Sequence, residues 1–358
     1  VNLDGTQRLP QRSDVDAYVG HDSAHHPHGG PGFRVIRMPW RTFFAALTAA
    51  FALIYGGRAP GAFLPDFLNL SAPLYAELPD IASCRAGQLQ HAERLAVLAR
   101  VNDIRQRHGL APVSRDTLAE PAVDQAALML AANGRLEHNP PGNWRCFSAA
   151  GAGAASNSLL SGGVTAPNIA FHTPAQDIIA WLTDANAVAT ETIGHRRLLL
   201  DPFLKSVAPG RVSGKVGPRR ASVGSVLKVT GPGSALTAGS GSELIAWPYH
   251  DYPQRYFTDG AYLSVSLLID RTRKQANAAV DFSAARVSVV TESGRAMPVR
   301  NIRFDNQYYG LPNNLQFMLP RIEPNVRYEI SIDGVNVRGE EKSYRYWFRI
   351  MPDGGDRA

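Results

Sequence analysis

Ile193-Gly-His195-Arg-Arg-Leu-Leu-Leu-Asp-Pro202 opens a short helix on a histidine, and Ala126-Ala-Leu-Met-Leu-Ala-Ala-Asn-Gly-Arg-Leu-Glu-His138 closes a longer helix on another. The two blocks read as halves of one site. Between them the only acids are Asp177, Asp184 and Glu191, and that shortage of carboxylates limits the chemistry. Zinc takes four ligands in a structural site, or three plus water in a catalytic one. His138 and His195 supply two, and Asp184 or Glu191 could make a third. Glu191 and His195 are four residues apart and share a face if that segment is helical, a condition that Gly194 weakens. The competing reading is a pair of neutral histidines satisfied by backbone or water on a cleft wall.

Hydrolysis needs a nucleophile or an activated water beside a base. Ser148, Ser156, Ser158 and Ser161 are near in sequence, but none lies in a nucleophile-elbow pattern. A disulfide would consume Cys146. Lipid binding asks instead for an apolar concavity, for which the Gly/Ala-rich stretch 149–163 could leave room; that stretch could equally be a mobile loop. Gly151-Ala-Gly153-Ala-Ala-Ser156 imitates a dinucleotide loop but lacks the third glycine and follows no strand.

At 358 residues the chain is long for one core and suggests two domains. Hydrophobic residues at 44% and charged residues at 19% fit a globular protein. The formal charge of +6 comes from scattered arginines without interleaved aromatics, which argues against nucleic acid as a partner. Cys84 and Cys146 would close a loop of about 60 residues, a bridge worth about 4 kcal/mol by chain entropy and credible only in an oxidising compartment. The alternative is two unrelated buried thiols. A basic flank at Arg34–Arg41, a short apolar core at Thr42–Tyr55 and a small-residue exit near Ala59–Ala62 make a secretory signal, 38–62, too short for a comfortable span. An uncleaved N-terminal anchor is its rival. Residues 1–37 precede that signal, with Val1 first and Met38 just before it, which suggests an initiation site placed too early. His21, His25, His26 and His28 lie in this tract, and a metal-binding histidine run there is the other reading.

A Pro-rich linker is expected over 63–83. Ala92 to Arg107 reads as a helix with Leu95, Leu98, Val101 and Ile104 as its apolar stripe. A second helix starts after Asp116, carries Leu118, Ala122, Ala126, Met129 and Leu130, and leaves at Asn133-Gly134. A third spans Pro174 to Asp184, and strands follow around Val207–Val216 and Ala221–Thr230. Residues 231–242 read as a flexible Gly/Ser connector. Beyond it the hydrophobic period becomes two. Strands are expected at Tyr262–Ile269, Arg286–Thr291, Leu315–Leu319, Val326–Asp333 and Ser343–Ile350, with a turn at Asp333-Gly334. The loops Trp247–Pro253 and Asn306–Gly310 are aromatic, and are read either as recognition loops or as packing against the first domain.

Four pieces carry a family resemblance: Leu98-Ala-Arg-Val-Asn102-Asp-Ile-Arg105 with Gly109-Leu-Ala-Pro-Val; the helix from Asp116 to His138; Asn168-Ile-Ala170 leading to Trp181; and Gly194-His195-Arg196 with Asp201-Pro202. In order and spacing, Leu95 to about Thr230 resembles a CAP-superfamily domain, the group of cysteine-rich secretory proteins, antigen 5 and pathogenesis-related proteins, and its bacterial branch in particular. The resemblance implies a secreted or envelope protein with an α-β-α sandwich and a cleft where two histidines and two acids meet, binding zinc or another divalent ion in some relatives and sterols or fatty acids in several. His138 and His195 match the family's histidines and Asp184 the second acid. The Gly-Glu-Asn motif maps best onto Ala166-Pro167-Asn168, with Pro167 where the glutamate belongs; the alternative register, Ser156-Asn157-Ser158, supplies no carboxylate either.

The fold expected is therefore α+β: a CAP domain over 84–230 followed by an all-β Ig-like sandwich over 243–352 and a tail, 353–358. The expected cleft residues are His138, His195, Asp184, Glu191 and Asn168. No cofactor is expected, zinc on His138 and His195 being the alternative. The partners expected are a lipid or small apolar ligand, a cell-wall component or a protein. A metal-dependent hydrolase and an adhesive or structural spacer led by the sandwich are the competing functions.

Overall fold

The computed structural model describes residues 64–165, 171–184, 192–218, 220–230 and 238–353. The signal 38–62, the tract before it, and Asn168 and Glu191 lie outside the described residues.

The first half is built on a sheet of order β3-β5-β6-β4, formed by Ser114–Arg115, Ser206–Gly217, Arg220–Lys228 and Ser158–Thr165. Strand alternation divides its side chains between two faces. Leu160, Ala208, Val212 and Val226 join the buried cluster of helices α3 (Glu120–Asn133) and α4 (Ala149–Ala155). Leu159, Val207 and Leu227 join α2 (His91–Arg107), α5 (Pro174–Thr183) and α6 (Gly194–Leu199). This is the expected α-β-α sandwich.

Helix α2 forms over the expected residues but is rotated from the expected stripe. Val97, Val101 and Ile104 are buried, while Leu95 is 44% exposed and Arg94 and Arg105 point inward. The reason is hydrogen bonding. Arg105 donates to the carbonyls of Ala111, Leu199 and Asp201, and Arg94 donates to Asp124 at 2.6 Å and to the Pro209 carbonyl. Buried carbonyls left without partners would each cost about 1–3 kcal/mol, enough to outweigh one exposed leucine. Leu118, placed on the second helix by its pattern, precedes α3 and is 93% exposed. Gly134, at φ 60°, caps α3 as its sequence suggests.

The described parts of two stretches read as linkers are folded. Residues 64–83 hold helix α1 (Leu64–Ser71) and strand β1 (Tyr75–Glu77), which pairs with β2 (Gln88–Leu89). The Tyr75 hydroxyl meets Ser213 Oγ at 2.8 Å. In the stretch 231–242, Ala238 is buried and Ser240 bridges Leu110. Between Pro141 and Thr165, the small-residue run forms α4 and then β4.

The second half is strand-rich. Strands β7 (Leu244–Trp247), β9 (Leu263–Leu267), β14 (Asn314–Met318) and β13 (Arg300–Asp305) form one sheet. The other has the order β12-β11-β15-β16-β8, from Ala296–Met297, Arg286–Thr291, Arg327–Val337, Glu340–Met351 and His250–Pro253, with β10 (Val280–Asp281) beside β15. In β16, Tyr346, Phe348 and Ile350 are buried, while Arg345 is exposed and Trp347 and Arg349 are half-buried, as alternation predicts. Asp333-Gly334 is an irregularity inside β15 rather than a turn. The reversal falls at Arg338-Gly339, at φ 55° and 90°.

Both halves contribute to one continuous hydrophobic cluster, in which Ile104, Trp181 and Phe203 are joined by Trp247, Tyr252, Tyr256 and Phe317. The described residues together form one compact unit.

Candidate functional site

Helix α5 begins with a full capping box: the Gln176 amide donates to Thr173 Oγ1, and the Thr173 amide to Gln176 Oε1. It ends at Asp184, held at φ 52° in the left-handed region. Ile193, at φ 43°, precedes α6. These two conformations, uncommon outside glycine, set the end of one helix beside the start of the next. The His195 Nδ1–H donates to Asp184 Oδ1 at 2.7 Å, and the Arg196 backbone N–H donates to Oδ2 at 3.2 Å. A carboxylate at a helix N-terminus also answers the helix dipole. The Asp184 side chain is 1% exposed and that of His195 28%, so the acid is sunk beneath the ring and the ring reaches the surface.

Arg196 leaves the same turn in the opposite sense. It is fully buried, donating to the carbonyls of Leu182, Thr183 and Tyr262 and to Ser264 Oγ. Its guanidinium lies 3.6 Å from the centre of the Trp247 ring. Two of these carbonyls close α5, where a cation is favoured. Burial holds its pKa down at about 10. Arg197 donates to Asp305 at 2.8 Å and to the carbonyls of Gln307 and Leu311. The Tyr309 ring covers Gly194, where a Cβ would come within 3.0 Å. Gly310, at φ 70°, passes so close to the Arg197 carbonyl that a Cβ would stand 2.2 Å from it. The Gly-His-Arg-Arg motif thus divides its work: the histidine belongs to the surface site, and the other three lock the two halves together.

His138 sits on a different support. Its Nδ1–H donates to the Ala155 carbonyl at the end of α4, at 3.1 Å, and the residue is exposed. The loop carrying it is pinned from both sides. Asn133 exchanges hydrogen bonds with the Arg145 backbone, Arg145 Nη2 reaches the carbonyls of Ile81 and Ala82, and Cys84 and Cys146 are joined in a disulfide with Cα atoms 5.2 Å apart. In both histidines Nδ1 is the occupied nitrogen, which leaves Nε2 as the acceptor of the neutral ring.

Of the expected cleft residues the structure joins Asp184 to His195 directly. Among the described residues no three His, Cys, Asp or Glu side chains are placed to hold a metal ion. Asp184 orients the His195 ring and leaves its Nε2 open, and the described residues do not group the three protein ligands that a zinc site takes. The nearby serines serve the backbone: Ser148 caps α4 by accepting from the Gly151 amide, and Ser156 and Ser158 donate to the carbonyls of Gly153 and Ala154. Asp177 is buried against Arg211 at 2.7 Å. Burial raises its carboxyl pKa, against the pull of Arg211. Asp124 behaves alike: burial lifts it to about 6 although Arg94 opposes the shift.

The aromatic loops pack instead of projecting. Trp247 and Tyr252 are fully buried, although Tyr308 is 54% exposed. The sequence reading missed Arg105, His108, Arg196 and Arg197 as organising residues. One signal was available: two arginines beside Leu198, Leu199 and Leu200 in a helix of six residues, too crowded with apolar neighbours for both to reach solvent.

Residues 98–222 match the Cysteine-rich secretory protein family, CAP. The α-β-α layers and the paired His195 and Asp184 lie within or around that span, and the chain carries a CAP domain. No curated protein matches the chain.

Proposed function

We propose that this is a secreted or envelope-associated CAP protein acting as a non-catalytic binding module for a lipid, a wall component or another protein. The observation that carries the reading is the buried anchoring of this turn, with one Asp184 oxygen on the His195 ring and the other on the Arg196 amide. Asp184 and His195 make one orienting acid and one imidazole, and among the described residues no third His, Cys, Asp or Glu joins them; hydrolysis or metal binding needs such further groups, whereas a binding surface needs fixed shape. The bonds of Ser148, Ser156 and Ser158 to the α4 backbone add support. The disulfide favours an oxidising compartment. Among the described residues no helix is long and apolar enough to cross a membrane. The strand-rich half, which we read as Ig-like, serves as a rigid backing for the CAP site.

Co-sedimentation of the full chain with phospholipid vesicles and with insoluble wall material tests the reading, comparing wild type with His195→Ala. Retention by either material, weakened in the variant, is expected. Isothermal titration showing tight, stoichiometric zinc uptake abolished by His138→Ala, together with chelator-sensitive hydrolysis of peptides or esters, would replace this reading with the metal-dependent hydrolase.

A further inference from the structure

The disulfide joins two loops that each have a clasp of their own. The hairpin 80–85 is closed by paired backbone bonds between Asp80 and Arg85, and Asp80 Oδ1 accepts from the Ala82 and Ser83 amides. Beneath it Ile81 is buried in the cluster of α3. The loop 134–147, which carries His138, is closed by Asn133 on the Arg145 backbone. The covalent tie between the two is the Cys84–Cys146 bridge, and the polar tie is the Arg145 guanidinium on the Ile81 and Ala82 carbonyls. Breaking the bridge therefore loosens one loop from the other without taking either apart.

Three features mark the bridge for exchange. Cys84 is exposed, so an incoming thiolate reaches its sulfur. Both cysteines are held at positive φ, 54° and 58°, a conformation costly for any residue with a Cβ, and reduction lets both relax. Arg145 stands beside the other sulfur: its Nη2 donates to the Ile81 carbonyl at 3.0 Å, and Cys146 Sγ lies 3.8 Å from that same oxygen. Among the described residues no carboxylate pairs with this guanidinium, whereas Arg85, next to Cys84, is paired with Asp80 at 3.1 Å. A nearby cation stabilises a thiolate, and a more stable leaving thiolate speeds exchange. The unpaired charge thus favours Cys146 as the leaving group and Cys84 as the sulfur attacked.

We propose that the Cys84–Cys146 bridge is an exchange site for a thioredoxin-type dithiol protein, and that its reduction unlocks the loop carrying His138. One thiolate of the dithiol attacks Cys84 Sγ; the sulfur–sulfur bond breaks and its electron pair leaves on Cys146. The second thiolate attacks the mixed disulfide, Cys84 leaves as a thiolate, and the dithiol ends as a disulfide. Both electrons come from the dithiol, and its two protons pass to Cys84 and Cys146. A consequence for binding rests on the function proposed above; the exchange itself does not.

The test incubates the folded full chain with reduced thioredoxin and counts alkylated thiols by mass. Both cysteines should become alkylated, at a rate that stays flat through the low urea concentrations where the chain is folded, and glutathione disulfide should restore the bridge. Hydrogen exchange should then quicken across 134–147 and stay unchanged in β5 and β6. In Cys84→Ser the Cys146 thiol should titrate below about 8.5, the ordinary value; Arg145→Gln should return it towards that value and Arg145→Lys should not. A reduction rate that climbs steeply with urea, as for a bridge reached only by unfolding, overturns the proposal. So does a reduced chain with unchanged exchange across 134–147, or a Cys146 titration that ignores Arg145.

Discussion

Acid should loosen the junction between the two halves, and His108 is the group through which it acts. This residue follows α2 and is 1% exposed. Its Nδ1–H donates to the Ala246 carbonyl at 2.7 Å, and its Nε2 accepts from the Tyr252 hydroxyl at 3.1 Å. Both partners belong to the strand-rich half, so the neutral ring is a fitted bolt with one donor and one acceptor. Burial, reinforced by the nearby charges of Arg196, Arg105 and Arg107, lowers its pKa from 6.5 to about 3. The folded state therefore binds fewer protons than the unfolded chain between those values. Its contribution is whole above about pH 6.5 and is lost as pH falls. At 1.36 kcal/mol per unit the loss is about 2 kcal/mol at pH 5 and approaches roughly 4–5 kcal/mol near pH 3. Asp124 and Asp177, whose pKa values are raised, oppose this trend, because the folded state takes up their protons more readily. The clean comparison is a difference. In His108→Gln an amide can reproduce one donor and one acceptor but cannot titrate. Between pH 7.5 and pH 5.0 the unfolding free energy from urea titration should fall further in the wild type, by about 2 kcal/mol. Equal losses in both proteins would refute the assignment.

Replacing Cys84 and Cys146 with serine should cost about 4 kcal/mol of unfolding free energy, and reductant should reproduce that loss in the wild type but not in the variant. Arg196→Met removes a buried cation together with its four acceptors' donor. It should destabilise by about 3–5 kcal/mol, since buried acceptors left unpaired cost about 1–3 kcal/mol each and partly relax, read by urea unfolding with tryptophan fluorescence. Gly310→Ala should lower the thermal midpoint markedly, since the new Cβ collides with the Arg197 carbonyl, whereas Gly153→Ala, with open space around it, should be neutral or slightly stabilising.

The layers of the first half were legible because their signals are local. The Asn133-Gly134 stop, the Pro174 start and the paired apolar strands near 207–216 and 221–230 all depend on residues close in sequence. Asp184 and His195 were legible through spacing from Trp181 and through the Gly-His-Arg pattern. The inward turn of Arg94 and Arg105 was not, because it depends on carbonyls about 90 to 115 residues away. Trp247 and Tyr252 were ambiguous for the same reason: an aromatic loop looks alike in sequence whether it meets a ligand or a buried guanidinium. Strands β7, β8 and β13 escaped notice because they are short, and β13 is exposed along nearly its whole length.

The bond from Arg197 to the Leu311 carbonyl spans 114 residues of chain. A ribosome adding about 5–20 residues each second needs on the order of ten seconds to make that stretch. Throughout that interval Arg197 lacks Leu311, and for most of it Asp305 and Gln307 as well, whereas Arg196 already has the Leu182 and Thr183 carbonyls. Synthesis must therefore run well past residue 230 before the turn that carries His195 acquires its final set of bonds.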